Sequence, residues 1–316
     1  MSERQIHDLV IVGAGPAALS CAIYTTREDI DTLLYEKAVP GGLIATTDWV
    51  DNYPGFPDGI AGLELGDNMR KQAERFGAVI ELGEVMKITD KGATKKLETT
   101  DGDVFTKVVL LATGSGYKKV GVPGEDEFYA RGVHYCATCD GAFYRDKRIV
   151  VIGGGNSAVQ EAMFLTRFSS NIVMLVRSDF RASEVLVHEL ENKFADKITV
   201  YKNTTTDEIV GENGKLTKVI GTDTTTGKKK EFETDGVFVF VGLQPNTAFV
   251  GASGIELDSI GLIKSNENLE TSMPGVFVAG DCRSGATMQI ATAVGEGATA
   301  SLRIREYLEA ISREHK

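Results

Sequence analysis

Asp8-Leu9-Val10-Ile11-Val12-Gly13-Ala14-Gly15-Pro16-Ala17-Ala18 is the stretch that decides the fold of this chain. A short apolar, β-branched run ends at glycines and passes into a helical stretch, Leu19 to Arg27, so the order is strand, glycine turn, helix. Gly13 allows the tight turn, Gly15 lets backbone approach a pyrophosphate, and Ala18 permits close packing of helix on strand. Pro16 and Ala17 lead into a helix whose N-terminus turns unpaired N–H groups and the positive dipole end toward phosphates. A lone turn of this kind also occurs where nothing binds, so its context matters. The next run, Thr32-Leu33-Leu34-Tyr35, reads as a second strand and ends in Glu36, where an acid can accept the hydroxyls of a ribose.

The same order recurs farther along. Arg148-Ile149-Val150-Val151-Ile152 is a strand, Gly153-Gly154-Gly155-Asn156-Ser157-Ala158 a turn, and Val159 to Arg167 a helix. A second dinucleotide site is therefore expected, with Gly153, Gly155, Asn156, Ser157 and Ala158 forming its turn. Its second strand, Ile172-Val173-Met174-Leu175-Val176, ends not in an acid but in Arg177-Ser178-Asp179-Phe180-Arg181. Arg177 and Arg181 suit a 2'-phosphate and favour NADP over NAD, the alternative being solvated loop arginines. Two more runs look like parts of the first site. One is a buried strand ending in Thr113-Gly114, the other a strand ending in Gly280-Asp281, where the carboxylate could accept hydrogen bonds from sugar-like hydroxyls.

Bulk properties narrow the class. At 316 residues the chain exceeds the usual limit of one hydrophobic core, so two domains are expected. A net charge of -11 argues against a nucleic-acid footprint, which needs a clustered basic surface. The start, Met1 to Asp8, lacks the basic region and cleavage site of a signal peptide, and no apolar run reaches the roughly 18 residues of a membrane span. A cytoplasmic protein is expected.

Four cysteines occur, at 21, 136, 139 and 282, and two of them form the run Cys136-Ala137-Thr138-Cys139-Asp140. In a cytoplasmic chain that spacing points to redox or metal chemistry rather than stapling. A metal needs further ligands, and the histidines at 7, 134, 188 and 315 show no HxxxH spacing, so no metal is expected. The thiolate is the reactive form of such a pair, and Asp140 is a carboxyl group able to move a proton beside it. Cys21, among apolar neighbours on the first helix, reads as a small buried hydrophobe. Cys282 could belong to a ligand shell or be inert, and the second reading is favoured.

The series GxGPAA, Glu36, Gly41-Gly42, Asn52-Tyr53-Pro54-Gly55, ATG, CATCDG, GGGNSA and TSMPGVFVAGD resembles the low-molecular-weight thioredoxin reductases along nearly the whole chain. The resemblance implies an α/β flavoprotein with two Rossmann-like dinucleotide-binding domains: an FAD domain, residues 1–117 and 246–316, and an inserted NAD(P) domain, residues 118–245, carrying the CxxC. It further implies a homodimer that reduces thioredoxin or a thioredoxin-like protein. Cys139 would meet the flavin, Cys136 would attack the partner disulfide, and Asp140 would serve as the acid. Gly13, Gly15, Pro16, Ala17, Ala18, Glu36, Lys37, Gly42, Leu43, Asn52, Thr113, Gly114, Gly280, Asp281, Met288, Gln289 and Ile290 would line the FAD. Two domain orientations would alternate, with hinges near Tyr117-Lys118-Lys119 and Gly242-Leu243-Gln244-Pro245.

Three positions depart from the family pattern. The phosphate-reading HRRxxxR is replaced by Val176 to Arg181, Gly-Gly-Gln by Gly41-Gly42-Leu43, and Arg-Gln-Ala by Met288-Gln289-Ile290. They keep open a donor other than NADPH, such as reduced ferredoxin. A ferredoxin-NADP reductase of the same fold would not need the CxxC, and a redox-sensing binding protein would show no turnover.

Overall fold

The computed structural model describes residues 5–47, 49–50 and 52–314. Contacts divide the chain into two units, Met1–Gly116 with Gln244–Lys316 and Tyr117–Leu243. Six α-helices lie among the described residues: α1 (Pro16–Thr26), α2 (Gly62–Arg75), α3 (Ala137–Asp140), α4 (Asn156–Leu165), α5 (Glu184–Lys193) and α6 (Ile290–Glu314).

The first unit is built on a parallel core sheet in the order Val79–Leu82, Thr32–Glu36, Ile6–Val12, Gly102–Leu111 and Val276–Val278. Strands buried on both faces need apolar residues throughout, and Leu9 to Val12 and Val108 to Leu111 supply them. Burying each such side chain contributes about 1.5–3 kcal/mol. One face packs on α1, α2 and α6 through Ala18, Leu65, Met69 and Ile304, and the other holds Val10, Leu33, Leu97 and Ile263. The α6 backbone approaches α1 so closely that a Cβ on Gly297 would stand 2.1 Å from the Ala17 carbonyl oxygen. Register sets the site: Val12 pairs with both Tyr35 and Leu111, and Leu111 with Val278. All of these strands therefore end at one edge, and Gly13, Glu36, Thr113 and Gly280 leave the sheet together, where open parallel sheets bind ligands.

The second unit carries a parallel sheet in the order Val133–His134, Gly236–Val239, Arg148–Ile152, Asn171–Leu175 and Ile198–Tyr201. Helices α3, α4 and α5 contribute to a core around Ile149, Val159, Leu190 and Phe238. An antiparallel sheet of Thr204–Glu212, Lys215–Asp223 and Lys229–Glu233 contributes Ile209, Val219 and Phe232 to a second core with Val150 and Val237. His134 pairs with Phe238, and Phe238 with Val151, so the dithiol run and the second glycine turn leave this sheet at the same edge.

Among the described residues no helix is long and apolar enough to cross a membrane, and no cluster of three or more His, Cys, Asp and Glu could hold a metal ion. His315 lies outside the described residues.

Candidate active site

In the first glycine turn Gly13 has φ +107°, and a Cβ there would stand 2.4 Å from the Ala112 carbonyl oxygen. Only glycine fits both the conformation and the space. Gly15 caps α1 with extended backbone, Pro16 follows, and no side chain caps the helix N-terminus. A Cβ on Gly42 would come within 3.2 Å of the Gly15 Cα, so two backbones line one narrow passage. Glu36 closes the turn from the neighbouring strand. Its Oε2 accepts the Ala14 N–H at 2.8 Å and its Oε1 the Ala38 N–H at 2.9 Å, which fixes the carboxylate and leaves lone pairs for a ligand. Lys37 next to it is exposed, 3.8 Å from Glu84.

The other expected ligand positions gather from far apart in sequence. Asn52 Nδ2 donates to Gln289 Oε1 at 3.1 Å across 237 residues of chain. Gln289 Nε2 donates to the Met288 carbonyl oxygen at 2.8 Å, and Met288 and Ile290 are half-buried, whereas Leu43 is exposed. Gly114 has φ +65°, and its carbonyl oxygen accepts the Asn246 N–H at 3.1 Å. Gly280 has φ +77°, and its N–H donates to Glu296 Oε2 at 2.8 Å. Glu296 also pairs with Arg283.

Two buried oxygens at this edge, Thr113 Oγ1 and Asp281 Oδ1, have no hydrogen-bond partner among the described residues. Burial, and secondarily Glu296, raise the Asp281 carboxyl to about 6. An orphaned acceptor is costly, so these groups fit a site built to receive a hydroxyl-rich ligand. The narrow glycine passage, the uncapped α1 N-terminus, the anchored Glu36 and these orphaned oxygens together fit a dinucleotide such as FAD.

The second turn repeats the first in backbone. Gly153 has φ +147°, and a Cβ there would meet the Phe240 carbonyl oxygen at 2.3 Å and the Ala158 Cβ at 2.8 Å. Buried Ala158 must therefore be small. Gly155 caps α4, again without a side-chain cap, and Asn156 Oδ1 accepts the Ser183 N–H at 2.8 Å, while Ser157 is exposed. The Gly154 carbonyl oxygen accepts the N–H groups of Arg181 (2.7 Å) and Ala182 (3.1 Å), so the arginine loop docks on the turn. Arg177 and Arg181 are exposed, and no described acid pairs with either. Asp179 between them is taken up by Lys202 at 2.9 Å.

Cys136 and Cys139 form a disulfide with Cα atoms 5.4 Å apart. Cys136 caps α3, and its Sγ accepts the Cys139 N–H at 3.2 Å, a contact that also favours a thiolate there. A Cβ on Gly141 would collide with Leu165 and Phe168, so the segment is pressed against α4 and the loop after it.

Two arrangements around the dithiol carry no sequence motif. The Glu125 carboxylate, only 1% exposed, accepts the Tyr135 hydroxyl at 2.7 Å and the N–H groups of Val120 and Gly121. Asp140 Oδ2 lies 3.2 Å from His134 Nδ1, and His134 Nε2 is 2.7 Å from the Tyr144 hydroxyl. Position alone, two residues before Cys136, could have singled out His134. Cys21 and Cys282 are free and fully buried, and burial raises both thiols. The Cys282 Sγ faces the Leu111 and Ala279 carbonyl oxygens.

Two uncapped glycine turns on parallel sheets, with a disulfide at the edge of the second, define a class of nucleotide-dependent disulfide chemistry. The family model described as pyridine nucleotide-disulphide oxidoreductase matches residues 7–297, and the chain belongs to that family. Within it, the chain is 41% identical over 318 residues to the thioredoxin reductase of Bacillus subtilis (strain 168), covering 100% of this chain and 99% of that protein. It is 39% identical to the thioredoxin reductase of Treponema pallidum (strain Nichols), covering 96% and 98%. Among solved structures, the thioredoxin reductase of Streptococcus pyogenes MGAS5005 is similar with a TM-score of 0.92 at 38% identity, over 98% of this chain and 100% of that one.

Proposed function

We propose that this protein is a flavin-dependent thioredoxin reductase in which Cys136 and Cys139 carry electrons to the disulfide of thioredoxin or a thioredoxin-like protein. The observation that carries this reading is the Cys136–Cys139 disulfide at the sheet edge that also bears the second glycine turn. FAD would be lined by Gly13, Gly15, Ala18, Glu36, Asn52, Thr113, Asp281 and Gln289, and NADPH by the 153–158 turn with Arg177 and Arg181. FAD, when bound, supplies the two electrons that reduce the disulfide.

The chain's own chemistry follows from the dithiol. The Cys136 thiolate attacks one sulfur of the partner disulfide, forming a mixed disulfide and releasing the other partner sulfur as a thiolate. The Cys139 thiolate then attacks Cys136 Sγ, which restores the Cys136–Cys139 disulfide and frees the second partner thiolate. Two electrons pass to the partner, whose two thiolates take up two protons, one of them through Asp140. A homodimer in the cytoplasm completes the reading, and the two free thiols, Cys21 and Cys282, suit a reducing compartment.

Stopped-flow mixing of the holoprotein with NADPH, NADH and chemically reduced ferredoxin tests the donor. Fast flavin bleaching by NADPH at micromolar levels is expected. Bleaching by ferredoxin alone would replace the donor and leave the dithiol chemistry standing, whereas failure to reduce insulin in the presence of thioredoxin and an active donor would overturn the assignment.

A further inference from the structure

We infer that His134 is a positioning residue for the dithiol: its imidazole, bridging Tyr144 and Asp140, holds the Asp140 carboxyl in place and sets the pH range over which that carboxyl serves the thiols. The inference rests on the reading of Cys136 and Cys139 as the pair that reduces thioredoxin.

His134 ends the edge strand two residues before Cys136 and is only 8% exposed. Its ring sits in an aromatic enclosure, 5.2 Å from the Tyr144 ring edge-on and 5.3 Å from the Phe238 ring. A buried imidazole is tolerated when its nitrogens have polar neighbours, and these do: Nε2 hydrogen-bonds the Tyr144 hydroxyl at 2.7 Å, and Nδ1 lies at ion-pair distance, 3.2 Å, from Asp140 Oδ2. Tyr144 cannot drift away, because it fills the space beside Gly236, where a Cβ would stand 2.2 Å from its ring.

The partners choose the tautomer. Burial, with Asp140 and Asp235 nearby, pushes the Tyr144 phenol up, so it keeps a proton to donate to Nε2. Nδ1 then carries the imidazole proton and faces the Asp140 carboxylate at ion-pair distance. When Asp140 gains a proton the arrangement reverses: the carboxyl donates to Nδ1, and Nε2–H donates to the Tyr144 oxygen. The imidazole carries one proton in both states, on Nδ1 or on Nε2, so it can face the carboxyl with an N–H or with a lone pair, immediately next to sulfurs that become thiolates. The other charges facing the network are Lys147, 5.3 Å from the Tyr144 ring, and Asp235, itself held by Arg148. No described residue but His134 pairs with Asp140.

The test uses the holoenzyme with thioredoxin across pH 5.5 to 9, comparing His134→Phe, His134→Asn and Tyr144→Phe. Phenylalanine keeps the ring volume without polar atoms, and the asparagine amide can reproduce the Nδ1–H donor. His134→Phe is expected to lower kcat about tenfold at neutral pH with KM unchanged, and to shift the carboxyl-dependent limb of the pH profile, because the carboxyl loses the imidazole that positions it. His134→Asn should restore both. A normal flavin spectrum with an unmoved profile in His134→Phe, whatever its melting temperature, would overturn the inference by reducing His134 to a packing residue. Should His134→Phe fail to fold, Tyr144→Phe decides: a shift of the same limb supports the network, and none refutes it. If the wild type itself does not reduce thioredoxin, the parent reading has failed. The inference is then judged from the pH dependence of iodoacetamide alkylation of the reduced cysteines in the same variants, which an idle His134 would leave unchanged.

Discussion

The substitution Asp281→Asn should make the flavin-free protein more stable and weaken its hold on flavin. The carboxyl ordinarily ionises near 3.8, and burial with Glu296 nearby raises it to about 6 in the folded chain. A group whose folded value lies above its unfolded value holds its proton more tightly when folded, so it opposes folding once the unfolded chain has lost that proton. The difference of about 2 units corresponds to about 3 kcal/mol of lost stability above pH 6, shrinking to nothing below about pH 4. A neutral amide at this position would remove that dependence, so the stripped variant should exceed the stripped wild type by up to about 3 kcal/mol at pH 7.5, with the gap closing on acidification. Guanidinium denaturation of both apoproteins at pH 7.5, 6 and 4.5 reads the gap, and flavin titration reads the loss of affinity. A variant no more stable than wild type at pH 7.5, or a gap at pH 4.5 as large as the one at pH 7.5, would refute the reasoning. A carboxylate with an unpartnered buried oxygen that weakens the empty fold is explained by a ligand that satisfies it.

Three further outcomes follow from the geometry. Cys139→Ser should retain bound flavin and abolish thioredoxin-dependent insulin reduction; turnover surviving that change would displace the dithiol from the reaction. Gly13→Ala, forced into φ +107° with its Cβ 2.4 Å from the Ala112 oxygen, should destabilise the first unit by more than about 2 kcal/mol and release FAD, measured by thermal melting and the visible spectrum. Arg177→Ala and Arg181→Ala should each raise KM for NADPH about tenfold or more and leave NADH unaffected, because only the 2'-phosphate loses a charge-assisted contact; equal losses with both cofactors would assign these arginines elsewhere.

The parts of this molecule legible in its sequence are those that local chemistry alone dictates. Buried parallel strands must be apolar along their length, so the runs at 8–12, 148–152 and 172–175 stand out, and the glycines after them fit only one kind of turn. Helix starts are less legible. The glycine motif leaves the expected helix at Leu19, but α1 begins at Pro16, whose ring already sets the helical φ, and α4 begins at Asn156, three residues before the expected Val159.

What the sequence hides is whatever depends on register and on chain returning from afar. Asn52 meets Gln289 because the C-terminal segment folds back onto the first unit, and Glu296 reaches the Gly280 N–H because α6 runs beside that strand end. Neither pair has a spacing that could announce it. His134 is the sharper case: the absence of HxxxH says nothing about a single imidazole held between a tyrosine and a carboxylate. Its partners are close in sequence, at 140 and 144, yet the contact needs the strand at Gly236–Val239 to supply both Phe238 as a wall and Gly236 as room for Tyr144. The same argument predicts that Gly236→Ala, far from the cysteines in sequence, acts through Tyr144. It should shift the pH profile in the direction of Tyr144→Phe, and a pH profile identical to wild type in a folded Gly236→Ala protein would break the link between that strand and the dithiol.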